Sequence, residues 1–250
     1  MRFDWSKFIH FENMLLPLWE TVYMVVIATV IAIIIGLPIG IALITAEKDG
    51  LKPNKTLHKI LDIILVNITR SIPFIILIVI LIPLSVLVVG KSYGTNAFII
   101  PLSIGAAPFV ARIVEGALKE VDSGLIEASK SLGASNSQII WKVMVPEALP
   151  SLIHGLILTI ISLIGYSAIA GAIGGGGLGN SAVVEGYTRS RREVMWQATI
   201  VIIVLVQIIQ IIGNYFVNYI NKKRGKKDEK NEKIMISNSN TWICVLVWSK

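Results

Sequence analysis

The sequence predicts an all-α membrane protein with five transmembrane helices. Of its 250 residues, 54% are hydrophobic and only 16% are charged, and its mean hydropathy is +0.72. A soluble domain of this length carries more charge to cover its surface. Here the charges stand in short groups between apolar runs, several of which reach the length of about 20 residues that crosses a bilayer. Lipid is therefore predicted to surround most of the chain.

The first apolar run, 21–44, contains no charged side chain. It exceeds the roughly 7 to 15 apolar residues of a signal peptide, so we expect a span that is retained. The second, 60–89, is long and interrupted by two charges and two prolines. The other predicted spans are 93–111, 149–170 and 194–220. An odd number of spans places the two termini on opposite sides.

Lysine and arginine cluster after the first, third and fifth predicted spans. By the positive-inside rule these regions should be cytoplasmic. The N-terminal segment 1–16 is then extracytoplasmic, and 222–250 is a basic cytoplasmic tail, predicted to be disordered. Arg189, Arg191 and Arg192 would lie in an outer loop, against the pattern, but three basic regions outweigh one.

Composition argues against several classes of function. The net charge of +7 comes from the flanks of apolar runs and from the tail, so we expect contact with membrane lipid and no nucleic-acid binding. Cys244 is the single cysteine, which rules out a disulfide framework. The P-loop pattern G-x-x-x-x-G-K-[ST] does not occur. We expect no catalytic residues, no cofactor and no metal site, and any energy from ATP must come from another subunit.

The longest polar insertion, 112–147, has the pattern of two short amphipathic helices. Ser123 precedes apolar residues at helical spacing, and a second apolar run begins at Ile139. Gly133 lies between the runs and is predicted to break the helix. The apolar faces need cover, which the parent protein, the membrane surface or a partner subunit could supply.

This insertion also contains a spaced motif of Glu-Ala-small, then Gly, then aliphatic-x-aliphatic-Pro. Its members are Glu127, Ala128, Ser129, Gly133, Val143, Val145 and Pro146. The motif resembles the EAA signature of ABC importer permeases, with mild departures at the serine and the two valines. The resemblance implies that the loop docks onto a separate ATPase subunit and that the proline ends the module.

Four further stretches are similar to the methionine permease subfamily, and the similarity covers about 15–224. They are 70–77, 105–109, 146–150 and 165–168. The resemblance implies a type I ABC importer permease bundle over 17–221, in a bacterial inner membrane. It also implies a homodimer, two cytoplasmic ABC ATPase subunits and an extracytoplasmic methionine-binding lipoprotein.

The expected function is to form the translocation pathway of an ATP-driven methionine importer. In the expected mechanism, ATP binding draws the ATPase subunits together and moves the coupling segment 127–146, which opens the spans outward. Two alternatives remain at this point. One is a permease for another small substrate, and the other is a membrane scaffold that transports nothing.

Five residues are candidates for structural or gating roles. They are Arg70, Pro73, Pro108, Gly165 and Gly175. The arginine could pair with a carboxylate or with helix-end carbonyls, or it could snorkel toward the cytoplasm. The prolines could place bends beside the path. The first glycine belongs to a set of small residues that could form either a dimer seam or internal packing.

The glycine-rich run 174–179 contains G-x-G-x-x-G, but a predicted membrane span precedes it where a dinucleotide site needs a strand. We therefore expect a flexible outer loop or a hinge near an external gate. Two polar residues of the spans remain. Asp62 is expected near the cytoplasmic end of its span, and His154 is expected to be a packed or interfacial histidine, since it lacks metal-ligand neighbours.

Overall fold

The computed structural model describes residues 11–223, and within this range all regular structure is helical. The first ten residues and the tail from 224 onward, which belong to the predicted terminal segments, lie outside the described residues. The helices, in chain order, are α1 (Phe11–Ala46), α2 (Lys55–Ser71), α3 (Phe74–Val89), α4 (Thr95–Lys119), α5 (Ser123–Ser131), α6 (Asn136–Gly175), α7 (177–188) and α8 (Arg192–Lys223).

Four of these helices, α1, α4, α6 and α8, are each long and apolar enough to cross a membrane. The second predicted span, 60–89, is not one helix. It is broken into α2 and α3, which meet at an angle of 107°. The break occurs where Ile72 takes an extended conformation (φ −79°, ψ 124°) in front of Pro73, because a residue that precedes proline is disfavoured in the helical region. The bent pair is either one broken span or a re-entrant loop, so the described residues contain four or five candidate spans.

The insertion between the third and fourth spans is shorter than the predicted 112–147. Helix α4 continues to Lys119, since Val114, Ala117 and Leu118 are buried in the core. The predicted second short helix is the beginning of α6. Ser135 starts α6 with a capping box. The Ser135 side chain accepts a hydrogen bond from the backbone amide of Gln138, and the Gln138 side chain accepts one from the backbone amide of Ser135. Only 120–135 lies outside the long helices.

The packing of α1 against α4 forms the centre of the bundle. Small buried residues recur at every fourth position of α1: Ala28, Ala32, Gly36 and Gly40. A Cβ atom on Gly36 would lie 2.6 Å from the Ala107 carbonyl oxygen, and one on Gly40 equally close to the Ala111 carbonyl oxygen. The helix backbones can approach this closely only because the side chains are absent. Small-residue seams of this kind drive helix association in lipid.

The glycine-rich run, predicted as a flexible outer loop or a hinge, is a mostly buried turn that leads directly into α7. The chain leaves the helical conformation at Gly174 (φ 102°) and turns through Gly176 and Gly177, which also have positive φ. The Gly177 amide donates to Glu20 Oε2 at 2.7 Å, and the Leu178 amide donates to Thr21 Oγ1 at 2.9 Å. Two side chains at the start of α1 therefore hold the turn in place.

Candidate functional site: the α5 loop, two arginines and a polar cavity

Helix α5 is a short, exposed helix with defined ends. Asp122 caps its N-terminus by accepting a hydrogen bond from the Gly124 amide at 2.7 Å. The chain turns at Gly133, which has φ +78° and open space around it. The amides of Leu132, Gly133 and Ala134 donate to carbonyls in the last turn of α5. A glycine is the residue that adopts this left-handed geometry with least strain.

The surface around α5 combines apolar and small residues. Leu132 is 87% exposed and Trp141 is 54% exposed. Leu125 is also exposed, as are Glu127 and Ala128, while Ser129 is half-buried. Exposed apolar side chains that stand together within a polar surround mark a contact surface rather than a solvated face. We call this set of residues, together with Gly133, the α5 surface.

The structure separates the predicted motif into two parts. Its first half, Glu127 to Gly133, lies on and after α5. Val143 and Val145 are half-buried in the first turns of α6, and Pro146 is exposed there. Pro146 occupies the first turn after a π-helical segment, and the helix continues past it. Proline is tolerated at a first turn, where its missing N–H costs little.

Arg112 on α4 is the centre of a charged cluster. Its guanidinium donates to Glu115 Oε2 at 2.6 Å and to Asn67 Oδ1 at 2.8 Å, and it forms an ion pair with Asp62. Asp62 and Asn67 belong to α2, so the cluster fastens α2 to α4. Charged hydrogen bonds of this kind are among the stronger ones in proteins.

A polar cavity of about 890 Å³ adjoins this cluster, between α4, α6 and α8. Its lining includes Arg112, Glu120, Glu147, Ser151, His154 and Asn218. Ser151 donates to Glu120 Oε2 at 2.6 Å. His154 is exposed on the cavity wall, and no group of three or more His, Cys, Asp or Glu side chains within 11–223 could hold a metal ion. The cavity is a polar space beside the end of the bundle that carries α5.

Arg70 stands in a different environment, at the end of α2. Its guanidinium carbon lies 5.6 Å from the centroid of the Phe109 ring, a cation–π distance. Across the break, Phe74 stacks on Tyr166 with ring centroids 4.3 Å apart. A Cβ atom on Gly105 would lie 3.1 Å from the Phe74 ring. The structure thus gathers aromatic rings from α3, α4 and α6 around the break.

The remaining gating candidates are dispersed. Pro73 and Pro108 flank the region around Arg70, the first exposed at the break and the second buried within α4. Gly165 is exposed on α6 beside Tyr166, with open space where a side chain would stand. Gly175 is buried at the far end of α6, where a Cβ atom would come within 3.1 Å of the Phe98 ring. Gly175 therefore belongs to the glycine turn and not to the aromatic group.

Two features escaped the sequence analysis. The Gly36-x-x-x-Gly40 spacing in an apolar run is a recognised signal for close helix contact, and it could have predicted the α1–α4 seam. The Arg112 cluster could not have been predicted in the same way. In the sequence, Arg112 was one of several basic residues that follow a predicted span. Its partner Asp62 lies 50 positions earlier.

Comparison with known proteins supplies the family. The model of the binding-protein-dependent transport system inner membrane component family matches residues 36–226. The methionine import system permease protein MetP of Bacillus subtilis is 52% identical over 200 residues, which covers 78% of this chain and 90% of that protein. The probable D-methionine transport system permease protein MetI of Pasteurella multocida is 50% identical over 185 residues, which covers 74% and 85%.

Solved structures agree with these relatives. An inward-facing structure of the MetNI methionine ABC transporter matches with a TM-score of 0.81 and 43% identity, and covers 83% of this chain and 95% of the matched chain. A second inward-facing structure of the same transporter gives a TM-score of 0.80. The family model begins at Gly36 of the seam and covers the α5 loop and the whole of α8. This chain belongs to the binding-protein-dependent transport system inner membrane component family.

Proposed function

We propose that this chain is the membrane-spanning permease subunit of an ATP-driven methionine importer in a bacterial inner membrane. The observation that carries the proposal is the 50 to 52% identity to two permeases named for methionine transport, over 85 to 90% of their lengths. The solved relatives are chains of a methionine ABC transporter. The chain itself performs no ATP chemistry in this proposal, since a separate ATPase subunit hydrolyses ATP.

The orientation follows from the end of the bundle at which basic segments meet. Lys119 at the end of α4 forms an ion pair with Glu47 after α1, and the Asn136 side chain donates to the Leu51 carbonyl oxygen. Asn221 of α8 lines the same cavity as Asp122. The three basic regions therefore share one end, which supports a cytoplasmic assignment for that end and an outside N-terminus.

The α5 surface is the proposed contact with the ATPase. It lies at the cytoplasmic end, and its exposed apolar residues stand beside small ones that let a partner approach. The residues assigned to coupling are Glu127, Ala128, Ser129 and Gly133 on the loop, with Val143, Val145 and Pro146 at the start of α6. ATP-driven approach of the two ATPase subunits would move α5 and, through the short connection 132–135, the start of α6.

Two copies of the chain form the pathway in this proposal. Helix α8 exposes many apolar residues, and α6 exposes Leu158, Gly165 and Ile169 along one face. These surfaces need lipid or a second copy to cover them. Alternating access then follows from rigid-body motion of the two copies, with each ligand acting through its different affinity for the two states. An extracytoplasmic binding lipoprotein would deliver methionine to the outward-open state.

The test is ATP-dependent uptake of radiolabelled methionine by proteoliposomes that contain this chain, its ATPase and its binding protein. Gly133→Asp should abolish uptake, because the change places a charged side chain on the α5 surface. Gly90→Asp is the matched control, since Gly90 also has positive φ (+77°) and open space but lies at the end of α3. It should leave uptake close to that of the unaltered protein.

The outcomes separate the parts of the proposal. Loss of uptake in both variants would argue against a special role for the α5 surface. Active, nucleotide-dependent ATPase in the unaltered complex without methionine uptake would keep the permease and replace the substrate. An absence of any association with an ATPase would contradict the function as a whole.

A further inference from the structure

Arg70 is a cation without a polar partner in the described part of the chain. Its guanidinium is exposed and contacts the Phe109 ring, and none of its five N–H donors makes a hydrogen bond or an ion pair to residues 11–223. The acid on the same helix, Asp62, is already held by Arg112. The predicted pairing of Arg70 with a carboxylate of its own chain is therefore absent within those residues.

The depth of Arg70 follows from the position of Phe109 on α4. Phe109 lies ten residues before Lys119 and fourteen after Thr95, or about 15 Å and 21 Å along a helix axis. Phe109 is also one helical turn before Arg112, so the guanidinium lies in the part of the apolar segment that is nearer to the Lys119 end of α4. An ionised group inside an apolar segment is costly unless something pairs with it.

The surroundings of Arg70 are apolar, aromatic and open on one side. The Phe74 and Tyr166 rings stack beside the α2–α3 break, and Gly105 leaves the room that the Phe74 ring fills. Gly165, next to Tyr166, presents no side chain to the exposed face of α6. A molecule at this place would meet one fixed cation and several ring faces.

We propose that Arg70 and these rings form a substrate site within the membrane span. The guanidinium would bind the α-carboxylate of an amino acid with two parallel hydrogen bonds, as its fork of donors suits. The rings of Phe74, Phe109 and Tyr166 would contact an apolar or thioether side chain, since sulfur–aromatic contacts are favourable. The inference rests on the proposed function and adds the side chains that would bind the substrate within the span.

A lipid phosphate is the other oxyanion that a guanidinium could bind. The rings of Phe74, Tyr166 and Phe109 favour an amino acid with an apolar side chain, because they would contact that side chain while the guanidinium binds the carboxylate. The lipid composition of the vesicles in the last experiment below separates the two oxyanions.

Uptake kinetics in proteoliposomes with the complete complex provide the first test. Arg70→Met keeps the length of the side chain and removes the charge, and it should lower methionine uptake at least about tenfold, the scale of a charged hydrogen bond. Arg70→Lys keeps the charge without the fork and should mainly raise the apparent KM. Lys59→Met, an exposed cation on the same helix, should leave both parameters unchanged.

The ATPase activity of each complex without methionine separates the site from the proposed function. That activity should be the same in the unaltered complex and in all three variants. Variants that transport with unaltered KM and maximal rate would overturn the site while the proposed function stands. If Arg70→Met fails to assemble, the KM of Arg70→Lys decides: an unaltered value overturns the proposal.

A labelling experiment gives a readout that does not depend on transport. Ser71 is exposed beside Arg70, and Ser71→Cys in a Cys244→Ser background places one thiol at the break. A charged, water-soluble thiol reagent should label it, and millimolar L-methionine should slow labelling several-fold. Adding Arg70→Met should remove the protection. No labelling, or equal protection with and without Arg70, would contradict the proposal.

The lipid composition distinguishes the two oxyanions. The same labelling is measured in vesicles of phosphatidylcholine alone and in vesicles that also contain phosphatidylglycerol. Protection by methionine in both vesicles supports the carboxylate site. Protection by phosphatidylglycerol and none by methionine would assign Arg70 to a lipid headgroup and overturn the proposal.

Discussion

Arg112 of α4 lies one helical turn from Phe109, the ring that Arg70 of α2 contacts, yet the surroundings of the two arginines differ completely. Arg112 has three polar partners, Asp62, Asn67 and Glu115, and joins α2 to α4. Arg70, eight residues beyond Asp62 on α2, has only the Phe109 ring. The comparison shows two uses of a charge in a membrane protein. An arginine that is paired with carboxylates stabilises the fold, whereas an arginine without such partners is available to a ligand.

The largest expected effect comes from breaking the matched arginine. Arg112→Met would leave Asp62 and Glu115 as carboxylates without their cation. Removing one partner of a buried pair costs about 3 to 5 kcal/mol, and these side chains are 11 to 27% exposed, so we expect about 3 kcal/mol. The thermal midpoint of the purified complex measures the loss.

A second substitution tests the cause of that loss. Adding Asp62→Asn to Arg112→Met removes one uncompensated charge, so the double variant should be more stable than Arg112→Met alone. Equal stability would show that Arg112 acts through packing and not through its charge.

The next effect in size concerns the α1–α4 seam, which packs on the part of α4 that carries Phe109 and Arg112. Gly40→Ala places a Cβ atom 2.6 Å from the Ala111 carbonyl oxygen, next to Arg112, and overpacking of this kind costs about 1 to 3 kcal/mol. Gly116→Ala is the matched control, because Gly116 lies in α4 with nothing near its Cβ position. The control should be neutral or slightly stabilising, by up to about 1 kcal/mol from helix propensity. Equal midpoints for the two variants would refute a close-packed seam.

A smaller effect sharpens the environment of Arg70. Phe109→Leu keeps an apolar side chain and removes the ring under the guanidinium, a contact worth about 0.5 to 2 kcal/mol. We expect the KM for methionine uptake to rise about threefold, with assembly unchanged. Phe216→Leu, on the exposed face of α8, should not alter KM. A fall in assembly without a change in KM would make the ring structural.

The smallest effect is expected at a matched cation on the surface. Lys119 pairs with Glu47 at 2.5 Å, but its side chain is 57% exposed. Exposed pairs contribute about 0.2 to 1 kcal/mol and are screened by salt. Lys119→Met should therefore lower the thermal midpoint slightly at low salt and not at high salt. A loss as large as that of Arg112→Met would show that exposure does not distinguish the two pairs.

The sequence predicted the membrane class, four of the spanning helices and the site of the α5 loop, because these depend on composition and local spacing. The break between α2 and α3 was missed, since apolar residues continue on both sides of Pro73 and hydropathy does not register a change of direction. The extent of α4 was underestimated for a similar reason. Its last two turns carry Arg112, Glu115 and Lys119, and these charged residues predicted a loop because their partners on other helices were not known.

The roles of the two arginines could not be separated from the sequence. Asp62 is eight residues from Arg70 and 50 from Arg112, and the more distant arginine is its partner because α2 crosses α4 at this place. The glycine run was predicted as a loop or a hinge because glycine permits flexibility, and the structure adds that several of its glycines permit close approach. Its partners, Glu20 and Thr21, are 157 positions away. Contacts between distant parts of the chain decide all of these cases.

Helix α6 has a mechanical consequence. It runs for 40 residues from Asn136 to Gly175, about 60 Å at 1.5 Å per residue. Near its middle, Gly155 packs so closely on Ile113 of α4 that a Cβ atom would collide with it. If α6 moves as a rigid rod about this contact, a displacement at the loop end is accompanied by a displacement in the opposite direction at the glycine turn. The two ends of the path are then not expected to move inward at the same time.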